Sequence, residues 1–251
     1  MPPLGMHLTL AREVAHQVGH RAVSEESGAY YLGASAPDIR ALTRWDRSRT
    51  HFFDLHCFDE QSGVAGLFRE YPELTDAGCL DSRTVAFLCG YFSHLEMDEA
   101  WIVDIYRPCF GERSPLGGGM LANLLDRVLQ HELHTRELED SGAIEEIRGQ
   151  LLAAAVESIV GFIDDEDMKR WREIACDTIV RRRDWERFAT FVGRHLRQFG
   201  AEASEDEVQH LMRNVPDLVD QAYREVTPER LRAFQERSRR RSLEVVQEYL
   251  S

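Results

Sequence analysis

The stretch from Thr84 to Trp101 constrains this chain more than any other: it reads Thr-Val-Ala-Phe-Leu-Cys-Gly-Tyr-Phe-Ser-His-Leu-Glu-Met-Asp-Glu-Ala-Trp. Wound as an α-helix of about 3.6 residues per turn, it carries Phe87, Leu88, Tyr91, Phe92 and Leu95 around much of its circumference. A helix that is apolar all round belongs in an interior, so the chain must supply enough other elements to surround it. His94 and Asp98 sit within that oily surface, one turn apart and roughly 40° from each other in projection. Phe87, Tyr91, Trp101, Ile102 and Ile105 fall within about 80° of His94, whereas Glu96 and Glu99 point away from that stripe. A carboxylate withdrawn from water is costly unless it is paired or coordinates a metal. The pair is therefore either a His–Asp hydrogen bond of the core or part of a site.

Nearly every other segment also has helical period, and strand-like alternation bounded by turn signals is absent. The pattern predicts an all-α chain, a single multi-helical domain with additional C-terminal helices. Helical signals cover residues 6–23, 48–59, 62–71, 82–108, 120–139, 143–163, 167–182, 185–199, 205–224 and 228–250. A loop is expected at Gly33-Ala-Ser-Ala-Pro-Asp, where Pro37 prevents regular helix continuation, and Thr227-Pro228 makes a good N-cap and first-turn pair. Pro115-Leu-Gly-Gly-Gly is a strong punctuation mark. The natural division is a core over residues 1–140 and a C-terminal helical cap over 141–251, packed together as one domain.

Composition limits the partners. With 251 residues and 43% hydrophobic content the chain can bury one sizeable core, and a formal net charge of −14 disfavours broad nucleic-acid binding through phosphate neutralisation. The basic runs at Arg181 and Arg239 lie in Glu- and Asp-rich helical patterns and read as solvated surface. Apolar runs are too short for a transmembrane helix, the N-terminus lacks the build of a secretory signal, and five cysteines without Cys-x-x-Cys spacing suit a reduced compartment. The expectation is a cytoplasmic protein.

Helical phase selects His7 from the three histidines of the first helix, because it shares an angle with Ala11, Val14 and Val18 while His16 and His20 fall with Arg12 and Glu13. Asp38 follows Pro37 and reads either as an N-cap for residues 39–42 or as a ligand. His51 opens an aromatic segment and reads as a surface, supporting or ligating residue, with His56 able to play either part. Imidazole and carboxylate together are the donor set of zinc and related divalent ions.

In this order Met6-His-Leu, Leu32-Gly-Ala-Ser-Ala-Pro-Asp, Thr50-His-Phe and Gly90-Tyr-Phe-Ser-His-Leu-Glu-Met-Asp-Glu-Ala-Trp resemble the zinc-dependent phospholipase C family, a relative of secreted single-strand-specific zinc nucleases. The resemblance covers roughly residues 1–110 and rests chiefly on the Gly-x-x-x-Pro-Asp loop and the Gly-Tyr-x-x-His-x-x-x-Asp helix. It implies that Asp38, His51, His94 and Asp98 hold one zinc and that His7 holds a second with Asp98 as bridge. The family chelates zinc through its mature N-terminal amine, whereas Met1 here precedes His7 by several residues. A third zinc in the family takes a histidine six residues past the bridging aspartate and a later His-x-x-x-Glu. Asp104 stands at the first of those positions; at the second, His131 is followed by Thr135, and His134 and Glu137 are one residue too close. His131 reads equally as a ligand and as a core residue. The Asp38–His51–His94–Asp98 position should load best, the His7 position less, and the third should be empty or differently filled.

The resemblance implies a metal-dependent phosphoester hydrolase in which water activated by Zn2+ attacks phosphorus, Asp38 holding the ion or orienting the water. Its substrate would be a small phosphate ester or a phospholipid head group, with Tyr30, Tyr31, Trp45, Phe52 and Phe53 either lining an apolar rim or belonging to the core. Two alternatives stand beside it: a non-catalytic metal-binding helical interaction module, and an HD-type phosphohydrolase. The second expects an adjacent His-Asp, which the chain lacks.

Overall fold

The computed structural model describes residues 1–55, 57–59, 61–181, 185, 188 and 213–251, and among them there is helix and no strand. The elements are α1 (Leu4–Val18), α2 (Arg21–Glu25), α3 (Ser27–Ser35), a 3-10 turn (Ala36–Ile39), α4 (Arg40–Thr43), α5 (Ser48–His51), α6 (Gly63–Glu70) and α7 (Ser82–Ala100). A wide helix of the π type (Trp101–Phe110) continues α7, followed by α8 (Met120–Glu137), α9 (Ser141–Ala153), α10 (Asp165–Thr178), α11 (Val215–Glu225) and α12 (Pro228–Tyr249). No helix among the described residues is long and apolar enough to cross a membrane. His56, the segment 185–199 apart from residues 185 and 188, and residues 205–212 lie outside the described residues.

α7 is the axis of the molecule. Asp81 starts it, its carboxylate accepting from Arg83 N and Thr84 N at 3.0 Å each, and every residue from Thr84 to Ala100 is buried. α3 crosses it at two glycines: a Cβ on Gly33 would stand 1.9 Å from Phe87 O, and one on Gly90 would stand 1.9 Å from Tyr30 O. No other residue permits that approach, so Gly33 and Gly90 set how deeply α3 lies against α7. α1 packs on α3, α7 and α8, and α12 lies along another side of α7.

Four sequence expectations are corrected. The first helix stops at Val18, because Gly19 turns left-handed (φ +59°) and caps it, and α2 begins after His20. The loop at Pro37 is a 3-10 turn in direct continuation of α3. Residues 154–164 are not helical; α9 ends at Ala153, where Ala154 turns extended. The central helix also runs past Pro108: after Ala100 the chain widens to i→i+5 hydrogen bonding, and the Asp104 carbonyl accepts from Arg230 Nη1 of α12 at 3.3 Å.

Candidate metal centre

The α3–α7 crossing places the first functional group. His94 lies one turn past Gly90, and its Nδ1–H donates to the carbonyl of Ala34, the residue after Gly33, at 2.9 Å. A carbonyl can only accept, so the proton sits on Nδ1 and the Nε2 lone pair is left for another partner. His7 comes from the first turns of α1 and lies flat on His94, ring centroids 3.7 Å apart and planes 6° from parallel. Asp38 comes from the 3-10 turn after α3; its side chain caps neither short helix beside it and remains 17% exposed, the most solvent-accessible member of the group. One ligand-type atom from each of His7, Asp38 and His94 can be chosen so that all lie within 4.8 Å of one another.

His51 approaches edge-on, its ring centroid 5.4 Å from that of His94. Its Nε2 lies 3.8 Å from Asp38 Oδ1 and 3.9 Å from Asp98 Oδ2, while its Nδ1 pairs with Thr50 Oγ1 at 2.9 Å. Tyr91 of α7 donates to Thr50 O at 2.5 Å and so holds this turn against the axis. All five residues singled out by sequence thus meet in one place, but not in the grouping implied by the resemblance. Asp98 is ion-paired with Arg47, whose guanidinium Nη2 contacts Asp98 Oδ2. The three-donor cluster is His7, Asp38 and His94, with His51 and the Arg47–Asp98 pair beside it.

Arg47 was missed by the sequence reading. It is 8% exposed, and Asp38 and Glu99 act on it as well as Asp98. Burial pushes its pKa down to about 9, so it remains a cation at neutral pH. Nothing in the run Arg44-Trp-Asp-Arg-Ser-Arg distinguishes it from its neighbours. The fold does, by setting its guanidinium on Asp98; the stretch around it, residues 45–51, lies between two non-glycine residues in the left-handed region, Arg44 (φ 63°) and Phe52 (φ 53°). Such residues carry strain and gather where structure serves a site.

Burial drives the three imidazoles neutral. His7 and His51 lie well below the ordinary histidine pKa, by desolvation first and then by His94 for His7 and Arg47 for His51. His94 is lowered by desolvation despite the opposing pull of Asp38. Neutral imidazole is the form that ligates a metal. Among the described residues, Nε2 of His51 and of His94, Nε of Arg47 and Oδ1 of Asp98 are buried without a hydrogen-bond partner, and the His7 ring has at most a loose contact with the Pro2 backbone. Native interiors rarely leave such groups unsatisfied.

The residues weighed for a third ion make other contacts. Asp104 pairs with Arg237 of α12 at 2.8 Å, His134 Nδ1 accepts from Gly5 N at 3.1 Å, and Glu137 accepts from Thr9 Oγ1 at 2.6 Å. The last two secure the start of α1, the helix that bears His7. His131 packs against Trp185 and Phe188. Of the suggested aromatic rim, Tyr30, Tyr31 and Phe53 are core, and only Trp45 and Phe52 are partly exposed. Comparison with known protein families, curated proteins and solved structures finds no match.

Proposed function

We propose that this chain is a metal-dependent phosphoester hydrolase, with a divalent ion, most simply Zn2+, held by His7, Asp38 and His94. The observation that carries the reading is the set of buried, unpartnered imidazole nitrogens facing one mostly buried carboxylate. That set fits a cation that prefers nitrogen and oxygen donors, and it is costly without one. The resemblance of the Gly-x-x-x-Pro-Asp and Gly-Tyr-x-x-His-x-x-x-Asp stretches to zinc-dependent phospholipases C supplies the reaction class.

An ion there supplies positive charge against phosphoryl oxygens and lowers the pKa of water. The chain's own groups do the rest. Ala34 O fixes the His94 tautomer, and the stacked His7 ring fixes the second nitrogen donor. Asp38, at the wet edge, is the carboxylate placed to accept a proton from an attacking water. His51, tethered by Thr50, stands between the two carboxylates and can hold them apart or share in ligation. The substrate class is a small phosphate ester or a phospholipid head group.

Elemental analysis of the purified chain, run beside hydrolysis of bis(p-nitrophenyl) phosphate, tests the reading. Bound zinc with chelator-sensitive turnover is expected. Zinc without turnover would move the assignment to a metal-binding interaction module, and no metal with no turnover would end it.

A further inference from the structure

We propose that Arg47 is the second cation of this site: it fills the place beside Asp98 where another metal ion would sit, and it offers its unpartnered Nε–H to a phosphoryl oxygen of a phosphodiester monoanion. The inference rests on the metal-dependent hydrolase reading and adds to it the ion count and the charge of the substrate.

Three observations carry it. Asp98, the carboxylate that would bridge two ions, already has a positive partner, because Arg47 Nη2 contacts its Oδ2. The Arg47 side chain is more than nine-tenths buried and its Nε has no partner, so a strong donor lies inside the cluster with nothing to receive its hydrogen. It is also close enough to Asp38 to feel that charge, although Asp38 belongs to the three-donor cluster. The guanidinium therefore adjoins both the ion position and the carboxylate that frames it.

Charge bookkeeping then selects the substrate. Two carboxylates, Asp38 and Asp98, balance one divalent ion, and Arg40 and Glu99, which also act on Arg47, are of opposite sign, so the Arg47 guanidinium is left as about one net positive charge. A diester carries one negative charge and neutralises the site; a monoester dianion overfills it. A second metal ion next to Arg47 would place two cations on one carboxylate in a desolvated cluster, where like charges repel strongly. Guanidinium is the side chain suited to both tasks, since its fork can keep Asp98 on one edge while another N–H meets a phosphoryl oxygen.

The test counts ions and measures anion binding on the full chain. Metal content is determined for the parent and for Arg47→Met. Diphenyl phosphate affinity is measured by calorimetry for the parent and for the double variant Arg47→Met/Asp98→Asn, which removes both charges of the pair and leaves no lone buried carboxylate. The parent should hold one ion, and Arg47→Met should rise above one as Asp98 is released. The double variant should keep one ion and bind diphenyl phosphate roughly tenfold or more weakly, the usual effect of losing a charge-assisted hydrogen bond. The parent should bind diphenyl phosphate more tightly than phenyl phosphate. A parent with two ions, or a one-ion double variant that binds the diester as the parent does, overturns this inference alone. A parent with no ion overturns the hydrolase reading and this inference with it.

Discussion

The two faces of α7 make an instructive pair. Both bury ionisable residues, His94 and Asp98 on one and Glu96 and Glu99 on the other. On the second face protein groups answer the charge. Arg241 of α12 meets Glu96 at 2.6 Å, the Gly63 amide donates to Glu99 Oε1 at 2.5 Å, and Ser242 donates to Ser93 O at 3.3 Å. On the first face Arg47 answers Asp98 Oδ2, but His94 Nε2, Asp98 Oδ1 and the facing nitrogens of His7 and His51 are left over. Burial of charge is thus common to a brace and to a site. What separates them is whether the chain itself supplies every partner.

The comparison breaks most visibly under pH. His7, His51 and His94 are depressed below their unfolded value, so folding keeps them neutral; the stability this represents is present above about pH 6.5 and is lost as pH falls below it. Each can withdraw at most on the order of 1 kcal/mol per pH unit below that value. Glu99 acts oppositely: desolvation raises it to about 7, so its contribution is full below the ordinary carboxylate range and lost as pH rises through 7. Three groups outweigh one where their windows overlap, and urea unfolding of the metal-free chain should show a steep loss of stability from pH 6.5 to 5.5 that Glu99 only blunts, with little change above pH 7. A flat acid limb would show that the imidazoles are not buried neutral.

Gly90→Ala should come next, because its methyl must displace the Tyr30 carbonyl and not a flexible side-chain tip. A loss of at least ~3 kcal/mol is expected, with metal binding lost as Ala34 O leaves His94. Thermal unfolding together with zinc titration reads both effects. A smaller cost belongs to Arg241→Ala: its side chain is 38% exposed, so about 2 kcal/mol is expected in place of the ~3–5 kcal/mol of a fully buried pair. Metal content should not change in that variant. His94→Ala should cost the metal-free chain a similar amount, about 2 kcal/mol, because the lost bond to Ala34 O and the vacated space outweigh the relief of an unpartnered Nε2, while most zinc binding is abolished. If Arg241→Ala loses metal and His94→Ala does not, the two faces have been assigned the wrong way round.

The sequence revealed this arrangement unevenly. Helical phase was enough to turn His7 inward and leave His16 and His20 exposed, and to bury α7 all round. Periodicity could not end α1 at Val18, because residues past Gly19 resume a compatible phase in α2 after a single left-handed step. It could not show Glu96 and Glu99 buried either, since that depends on α12, far away in the chain, arriving with Arg241 and Ser242. Arg47 was invisible for a similar reason. Its partner Asp98 is distant in sequence, and its local run has no period to set it apart from Arg44 or Arg49. Loop signals placed Asp38 correctly between helices but favoured a capping role that its side chain does not perform.

The glycine contact between α3 and α7 also has a consequence for motion. Where helices meet through side chains, rotamer changes let them slide and reseat; where carbonyl meets Cα, there is no soft layer to rearrange. Local opening must then separate the whole pair at once. Amide protons of residues 29–35 and 84–98 should exchange as one slow cooperative block, and His94 should keep its orientation through every fluctuation short of that opening.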